Sequence, residues 1–522
     1  MTPAANNSSP LDRSFPAPSR GAAWISAELR LDILYCTLLL VLTAIMVLPG
    51  SLTLPMELWD ESRTANNGME MAQHGGWMVP TFGGVPDHWN TKPPLLIWII
   101  AALLRTGLDP LLAVRLPSVL ATMGSVLLVY LTCRSTIQDR MTGLLAGLLT
   151  LCSVLFLGDH VGRTGDYDAL LSLLCLGSVV CIGHYIDATT DRSGAWIAAG
   201  SALLLLALLA KGVAASLPLP GLFAYAITRG RFLAILRDWR IWVSVFGVLG
   251  GAASLLMYRE NLDPGYLAAV WNNDVSGRLL TALDQHAEDP WFYLVVLATT
   301  FQPAILLLPT LLCMRRDPDP ARRRLCLLML LTACSWLIAL SCANTKIYWY
   351  VAPVVPLLAI AIAIGTTTYL RSREQSTWVV LRPAILAMLI AFWYLNIRAP
   401  AADTPYAADQ VQYGAFLNDI RGDIPLAGAV ILDRGLPNDA GFQYYNPVAR
   451  FYAGDAARRG VRIDIATPGA RIAGDTTIIS CDPLVRNWLK VQPFFIMVQG
   501  NTHCVLGRAS SGSDDLTHKP TE

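Results

Sequence analysis

The chain has 522 residues, of which 54% are hydrophobic and only 15% are charged. Soluble domains carry roughly 25% charged residues, so this composition excludes an ordinary water-soluble protein. The formal net charge of +1 excludes the strongly basic surface typical of nucleic-acid binding, and we expect no nucleic-acid partner.

The N-terminal residues 1–30 are polar and rich in proline and serine, and they place Arg13, Arg20 and Arg30 ahead of a long apolar run. No small-residue cleavage site follows this run closely. The pattern predicts a cytosolic tail over residues 1–30 and an uncleaved membrane anchor rather than a signal peptide.

Residues 31–397 predict a transmembrane domain of about eleven spans, because each apolar stretch approaches the roughly 20 residues that cross a bilayer. The stretches centre on residues 31–50, 111–132, 141–158, 169–187, 194–210, 212–228, 241–258, 291–313, 325–342, 349–370 and 378–396. Leu95–Leu104 is apolar but short, and it follows Pro93-Pro94 and precedes Arg105. We expect it to be a re-entrant or interfacial helix.

The distribution of arginine predicts the orientation, since short loops rich in Arg are cytoplasmic. These loops are the N-terminal tail, Arg134/Arg140, Arg229/Arg231/Arg237/Arg240, Arg315/Arg316/Arg322/Arg323/Arg324 and Arg371/Arg373. All of these loops lie on the cytoplasmic side only if Leu95–Leu104 does not cross the membrane. A bacterial inner-membrane protein is expected, with segments 51–110, 159–168 and 259–290 on the outer, periplasmic side.

Residues 398–508 alternate short β-rich runs with helical patterns, which predicts a small periplasmic α/β domain. Residues 509–522 are polar, and we expect a disordered tail. Of the eleven cysteines, nine fall in or beside apolar runs and predict small buried hydrophobes. Cys481 and Cys504 lie in the α/β region, where an oxidising compartment could pair them or leave both free.

The first outer loop places charged residues at membrane level. Asp60 and Glu61 directly follow the first span, where an ionised carboxylate is costly and therefore a functional candidate; a solvated pair at a helix end is the alternative. Arg63 shares a helical face with Asp60 and could orient it or hold an anion. Lys92 precedes Pro93-Pro94, where it either binds a phosphate or extends its side chain towards lipid.

The remaining outer segments carry further candidates of both charges. They are Arg163, Asp166 and Asp168 in segment 159–168, Lys211 between two apolar runs, Arg278 in segment 259–290, and Lys346 and Tyr350 in NTKIYWYVAPVVP. Taken singly, Lys211 is also compatible with an ordinary helix-hairpin turn and Lys346 with an interfacial anchor. Their joint placement on one face favours a shared site.

These motifs resemble a known family of membrane enzymes, the GT-C-fold glycosyltransferases that use polyprenyl-phosphate sugars. The branch includes protein O-mannosyltransferases and the lipid A aminoarabinose transferase. The resemblance is carried by WDESRTANNGMEMAQHGGWMVPTFGG followed by TKPP, then AVRLPSVL, RTGDYD, AKG and KIYWYVAPVVP, in family order over residues 30–360.

The resemblance implies an inverting glycosyltransferase that moves a sugar from an undecaprenyl (polyprenyl) phosphate donor to an extracytoplasmic acceptor such as lipid A, another glycolipid or a protein hydroxyl. Asp60 is then the acid/base or acceptor-orienting carboxylate, and Asp168 is a second carboxylate of the site. The expected substrate-binding residues are Glu61, Arg63, Lys92, Arg163, Lys211, Arg278, Lys346 and Tyr350. A lipid or lipid-linked-sugar transporter is the alternative, although its charges would line the bilayer midplane.

One departure from the family concerns metal binding. In the aminoarabinose branch a Glu before the KPP lysine joins a later His at a metal, whereas this chain has Thr91 and, near the second position, Asn273-Asp274. His88 and His286 are possible substitutes without diagnostic spacing. We therefore expect no cofactor and no obligatory metal, with a divalent ion as the open alternative.

Overall fold

The computed structural model describes residues 20–188, 193–280, 287–397, 412–417, 419–420, 426–435, 446–470, 472–501 and 503–510. His286, most of the N-terminal tail and most of the C-terminal tail lie outside these residues. The helices up to residue 397 are Arg20–Thr53 (α1), Asp60–His74 (α2), Leu95–Arg105 (α3), Pro110–Thr136 (α4), Arg140–Leu151 (α5), Val154–Leu157 (α6), Tyr167–Asp187 (α7), Ser193–Lys211 (α8), Leu219–Thr228 (α9), Phe232–Arg237 (α10), Trp239–Leu262 (α11), Tyr266–Val270 (α12), Gly277–Leu280 (α13), Phe292–Thr300 (α14), Pro320–Cys342 (α15), Val354–Ser372 (α16) and Trp378–Ile397 (α17).

The apolar stretches predicted from the sequence all contain helix, but they differ in length. Within the described residues, seven helices are long and apolar enough to cross a membrane, or eight if the bent pair Phe292–Thr300 and Ala304–Arg316 is one span. Some of the other stretches form shorter helices, such as Arg140–Leu151 and Leu219–Thr228. Gly212 at φ +58° ends α8, and a 3₁₀ turn, Gly212–Ser216, precedes α9.

The helices begin where the sequence supplies caps. Asp109 accepts hydrogen bonds from the backbone N–H groups of Leu111 and Leu112, and Pro110 occupies the first turn of α4. Asp319 caps α15 in the same way, accepting from Ala321. Large apolar side chains such as Trp239 and Phe246 are exposed on α11, as expected for a helix that contacts lipid.

The short helix α3 lies on α2 and does not have the length of a span, as predicted. It has eleven residues. Gly68 of α2 faces it so closely that an added Cβ would lie 2.5 Å from Ile100 Cγ2, and the packing therefore requires glycine. Arg105 also donates to the Ala72 carbonyl at 3.1 Å. The pair α2–α3 thus packs together within the first outer loop, which also includes the two-residue strands Thr81–Phe82 (β1) and Val85–Pro86 (β2).

The C-terminal region is a small α/β unit, as predicted. Its strands are Ala429–Leu432 (β3), Ile463–Ala466 (β4), Thr477–Ser480 (β5), Phe495–Gly500 (β6) and Val505–Ala509 (β7), and its helices are Pro447–Arg458 (α18) and Pro483–Lys490 (α19). The sheet order is β4-β3-β5-β7-β6, parallel between β3 and its neighbours and antiparallel around β7. Cys481 and Cys504 form a disulfide bond beside β5 and β7.

The α/β unit and the first outer loop share one hydrophobic core. Met69 of α2 and Val448 of α18 belong to the same buried cluster. Asn66 donates to the Pro447 carbonyl at 2.8 Å, and Arg458 donates to the Leu104 carbonyl at 2.6 Å. These contacts fix α2, and with it Asp60, from the side opposite the membrane helices.

Candidate active site

Asp60 is the first residue of α2 and lies near the charged side chains of Lys92, His160 and Lys211. The residue before it, Trp59, has φ +74°, a conformation that a side chain other than glycine adopts only when its surroundings hold it there. The Asp60 side chain is half-buried, and its carboxylate accepts no hydrogen bond from the described residues. Burial alone would raise the pKa of Asp60, but the positive charges of Lys92, His160 and Lys211 lower it below its ordinary value.

Lys92 reaches the same space from the loop before α3. Its side chain is 8% exposed, and its Nζ lies 5.8 Å from the Trp89 ring centroid and 5.9 Å from that of Tyr167. Among the described residues, no carboxylate lies within ion-pair distance of it, although Asp60 is close enough to feel its charge. A buried ammonium without a direct partner is unfavourable by itself, so this geometry suits an external anion.

The second carboxylate, Asp168, is paired with a lysine. Both of its oxygens accept from Lys211 Nζ, at 2.6 and 2.5 Å. The same Nζ lies 4.5 Å from the centroid of the Tyr350 ring, and the Arg278 guanidinium donates to the Tyr350 hydroxyl. Lys211, Tyr350 and Arg278 therefore form a column beside Asp168, with Arg278 Nε 3.7 Å from Asp274.

Glu61 and Arg63, predicted as substrate-binding residues, are enclosed in buried ion pairs. Arg115 Nε and Nη2 donate to Glu61 at 2.6 and 2.8 Å, and Arg63 donates twice to Asp87 at 2.7 Å. All four side chains are fully buried. The backbone N–H of Gly165 also donates to Glu61, at 2.9 Å. Both pairs join α2 to neighbouring segments and leave little room for a ligand.

Arg163 and Lys346 are also occupied by the protein itself. Arg163 is 2% exposed and donates to the Met46 carbonyl at 2.8 Å. Lys346 Nζ donates to the Ala343 carbonyl at 2.7 Å, while the backbone N–H of the adjacent Thr345 donates to the Arg278 carbonyl at 3.1 Å. These contacts hold the loop before α7 and the segment around Lys346, so the assigned binding roles of Arg163 and Lys346 stay predictions.

His160 is a site residue that the sequence interpretation did not single out. Its ring stacks on Trp349 with a centroid distance of 3.8 Å, its Nδ1 lies 3.5 Å from Asp166, and its Nε2 lies 4.0 Å from Glu57. Burial alone would lower the pKa of His160, but the Asp166 and Glu57 carboxylates raise it to about 10. Burial and the nearby Asp159 raise the pKa of Glu57 to about 8.

The positions that would hold a metal in the aminoarabinose branch are joined by a hydrogen bond here. Thr91 Oγ1 donates to Asp274 Oδ2 at 2.5 Å, and His88 pairs with Asp263 at 2.9 Å. A different group has suitable donors, since one ligand atom from each of Asp60, His160 and Asp166 lies within 4.8 Å of the others.

Known proteins resemble this chain in sequence. A family model described as dolichyl-phosphate-mannose-protein mannosyltransferase matches residues 91–258. The undecaprenyl phosphate-alpha-4-amino-4-deoxy-L-arabinose arabinosyl transferase 1 of Pseudomonas fluorescens (strain Pf0-1) is 31% identical over 319 residues, which cover 59% of this chain and 54% of that protein. A relative of similar name from Pseudomonas aeruginosa (strain LESB58) is 29% identical and covers 70% and 66%. The chain thus matches between about half and two thirds of these relatives' length.

Solved structures match over nearly the whole chain. ArnT from Cupriavidus metallidurans, solved bound to undecaprenyl phosphate, has a TM-score of 0.64 at 14% identity and covers 96% of this chain and 100% of its own. The archaeal oligosaccharyltransferase AglB from Archaeoglobus fulgidus has a TM-score of 0.50 at 11% identity, covering 93% and 74%. The chain is therefore a multi-pass membrane protein with the GT-C fold, and the resemblance predicted from its motifs is confirmed.

Proposed function

We propose that this chain is an inverting glycosyltransferase that moves a sugar from undecaprenyl phosphate, or a similar polyprenyl phosphate, to an acceptor hydroxyl outside the cytoplasm. The observation that carries the proposal is the proximity of Asp60, whose carboxylate accepts no hydrogen bond from the described residues, to the buried ammonium of Lys92 at one end of a GT-C helix bundle. The names of the relatives support a lipid-phosphate donor, and an amino-arabinose sugar is the first candidate.

The donor phosphate binds next to Lys92, with Arg278 and Tyr350 on the other side of the site. When the bond between the sugar and the phosphate breaks, a second negative charge develops on the leaving phosphate. Cationic donors already in position stabilise that charge in the transition state. Lys211 contributes through the column it forms with Asp168 and Tyr350 rather than as a free cation.

Asp60 acts on the acceptor. Its low pKa keeps the carboxylate ionised, so it accepts a hydrogen bond from the acceptor hydroxyl and takes the proton as the hydroxyl oxygen attacks the anomeric carbon. The new carbon–oxygen bond forms on the face opposite the phosphate, which leaves as the polyprenyl monophosphate. Lipid A, another glycolipid and a protein hydroxyl are the acceptor classes that this chemistry allows.

The charged end of the bundle is assigned to the periplasm. The Arg-rich loops lie at the other ends of the helices, where the positive-inside rule requires cytoplasm. The Cys481–Cys504 disulfide supports an oxidising compartment for the α/β unit. Reporter fusions at residue 510 should be active only as periplasmic reporters, whereas a cytosolic signal would overturn both the orientation and the assigned side of the site.

Transfer is tested with the purified full chain in liposomes that contain undecaprenyl-phosphate sugars and candidate acceptor lipids. Mass spectrometry should detect the glycosylated acceptor with wild type and with Asp464→Asn, which removes an exposed carboxylate of the α/β unit, but not with Asp60→Asn. Movement of the lipid-linked sugar between leaflets without any glycosylated product would favour a transporter instead.

A further inference from the structure

A cavity of about 830 Å³ opens between the 3₁₀ segment Ala304–Arg316 and the end of α16. Its position is far from the transfer site, because α16 begins four residues after Tyr350 and has 19 residues, a length of about 28 Å. Before the cavity the two segments touch closely, and a Cβ added to Gly365 would lie 3.1 Å from the backbone nitrogen of Leu311. The cavity is lined by the residues that follow this contact, within 312–319 and 368–373.

The two acidic residues of the cavity wall are already bonded to other parts of the protein. Asp317 is 4% exposed and accepts hydrogen bonds from Arg322 Nε at 3.0 Å and from the Thr368 hydroxyl. Asp319 caps α15 by accepting from the backbone N–H of Ala321 at 2.8 Å. Neither carboxylate is therefore the partner of the cations that surround the opening of the cavity.

Those cations are four exposed arginines, Arg315, Arg316, Arg371 and Arg373. Arg371 donates to Asp139 at 2.6 Å. The side chains of Arg315 and Arg316 make no hydrogen bond or ion pair within the part of the chain that the structure describes. The opening therefore carries positive charge that the neighbouring carboxylates leave uncompensated, which attracts an anion.

The cavity also has an apolar side. Leu312 is 74% exposed and Tyr369 is 38% exposed, and both line it. The Arg373 guanidinium carbon lies 5.8 Å from the centroid of the Tyr369 ring, so cationic and apolar surfaces are adjacent. Exposed apolar side chains on segments that cross a bilayer contact acyl chains. A molecule that joins a negative headgroup to acyl chains therefore matches the cavity better than a free anion.

We propose that this cavity binds one anionic phospholipid, with the headgroup phosphate at Arg315 and Arg316 and the acyl chains along Leu312 and Tyr369. Guanidinium groups suit a phosphate because their planar fork of N–H donors matches its oxygens. Basic pockets between membrane helices on the cytoplasmic side are suited to such headgroups. The orientation under the proposed function places the cavity in the cytoplasmic leaflet, whereas binding of the lipid does not depend on transfer.

Lipid binding by the purified full chain tests the proposal. The chain in mild detergent is titrated with phosphatidylglycerol or with phosphatidylcholine, and native mass spectrometry gives the Kd of the tightest bound lipid. Wild type should prefer phosphatidylglycerol. In Arg315→Gln/Arg316→Gln, the Kd for phosphatidylglycerol should rise at least about tenfold, because each arginine near a headgroup contributes on the order of 1 kcal/mol.

The matched control is Arg30→Gln/Arg237→Gln, which removes the same charge from two exposed arginines outside the cavity. It should bind like wild type. Equal weakening in the two double variants would show a general attraction to surface charge and would overturn the proposal, as would equal affinity of wild type for the two lipids. Displacement of phosphatidylglycerol by an equal concentration of inorganic phosphate would contradict a lipid ligand and indicate a free-anion site.

A measurement on wild type needs no variant to fold. Phosphatidylglycerol with a photoreactive group in its acyl chain should cross-link to peptides that contain residues 312–319 or 368–373. Cross-links confined to other peptides would contradict the site. Because neither experiment measures transfer, lipid binding without transfer would leave this inference standing and count against the proposed function, and transfer without selective lipid binding would do the reverse.

Discussion

Two adjacent carboxylates at the start of α2 have opposite surroundings. Glu61 is fully buried, and each of its oxygens accepts hydrogen bonds from Arg115 and from backbone N–H groups. Asp60 is half-buried, and no described residue donates to its carboxylate. The pairs Glu61–Arg115 and Arg63–Asp87 are here called the buried ion-pair layer, and Asp60, Lys92 and His160 are called the open cluster.

The difference separates structural charges from functional ones. In the buried ion-pair layer every charge is neutralised by the protein, so its contribution is to hold the outer loop in one arrangement. In the open cluster, Asp60 and Lys92 are partly withdrawn from water without a direct ion pair, which costs stability unless a ligand supplies one, and His160 is paired only with Asp166 and Glu57 at 3.5 and 4.0 Å. Substitutions in the layer should therefore reduce stability first, and those in the open cluster should reduce transfer first.

Glu61→Gln should produce the largest loss of stability. It keeps the size of the side chain but leaves Arg115 as a buried charge without its counter-ion, at a cost of about 3–5 kcal/mol. Thermal unfolding of the detergent-purified protein should show a clearly lowered midpoint relative to Asp464→Asn. If the variant melts like wild type but has lost transfer, Glu61 acts in the active site rather than in the buried ion-pair layer.

Asp60→Asn should show the opposite behaviour. The amide keeps the shape but cannot take a proton, so transfer should fall by at least about a hundredfold. The melting midpoint should stay close to that of wild type, because the carboxylate has no hydrogen bond from the described residues to lose. Near-normal turnover would show that Asp60 is a helix-end residue and that the base lies elsewhere.

Part of the difference between the open cluster and the buried ion-pair layer could be predicted from the sequence. The position of Asp60, Lys92 and Asp168 at span boundaries was sufficient to nominate them, and the predicted short helix α3 and the α/β unit are both present. Glu61 was nominated by the same reasoning, and Arg63 was nominated because it shares a helical face with Asp60. Their burial was not predictable, because the partners Arg115 and Asp87 are set by tertiary packing and carry no local signal.

His160 was missed for a related reason. It is a single histidine without a metal-binding spacing, and only the fold brings it to Asp60 and to Trp349, which is far away along the chain. The bend between Phe292–Thr300 and Ala304–Arg316 was missed, because apolar composition alone does not register it. The break at Gly212 was expected, because Lys211-Gly212 separates two apolar runs. The positive φ of Gly212 is a property of the folded backbone.

The Asp168–Lys211 pair shares features with both the buried ion-pair layer and the open cluster. It is bidentate like the buried ion-pair layer, yet its lysine faces Tyr350 in the site. Lys211→Met should abolish transfer and also lower the melting midpoint, since Asp168 is left unpaired. Adding Asp168→Asn should recover part of the stability, with a coupling of about 1–3 kcal/mol, and none of the activity. Recovery of both would assign the pair a purely structural role.

The smallest effect expected is that of Lys92→Arg, and it separates phosphate binding from anchoring. An interfacial anchor tolerates arginine, because both side chains are long and stay charged. A compact ammonium between Trp89 and Tyr167 is different, since a planar guanidinium is bulkier and presents its donors in another geometry. Donor use, measured as kcat/KM for the lipid-linked sugar, should fall about tenfold in Lys92→Arg, equivalent to about 1.4 kcal/mol, and should be lost in Lys92→Met.

Expression and melting should be unchanged in both variants. Full activity of Lys92→Arg would show that Lys92 is an interfacial anchor and that Arg278 and Tyr350 bind the donor phosphate.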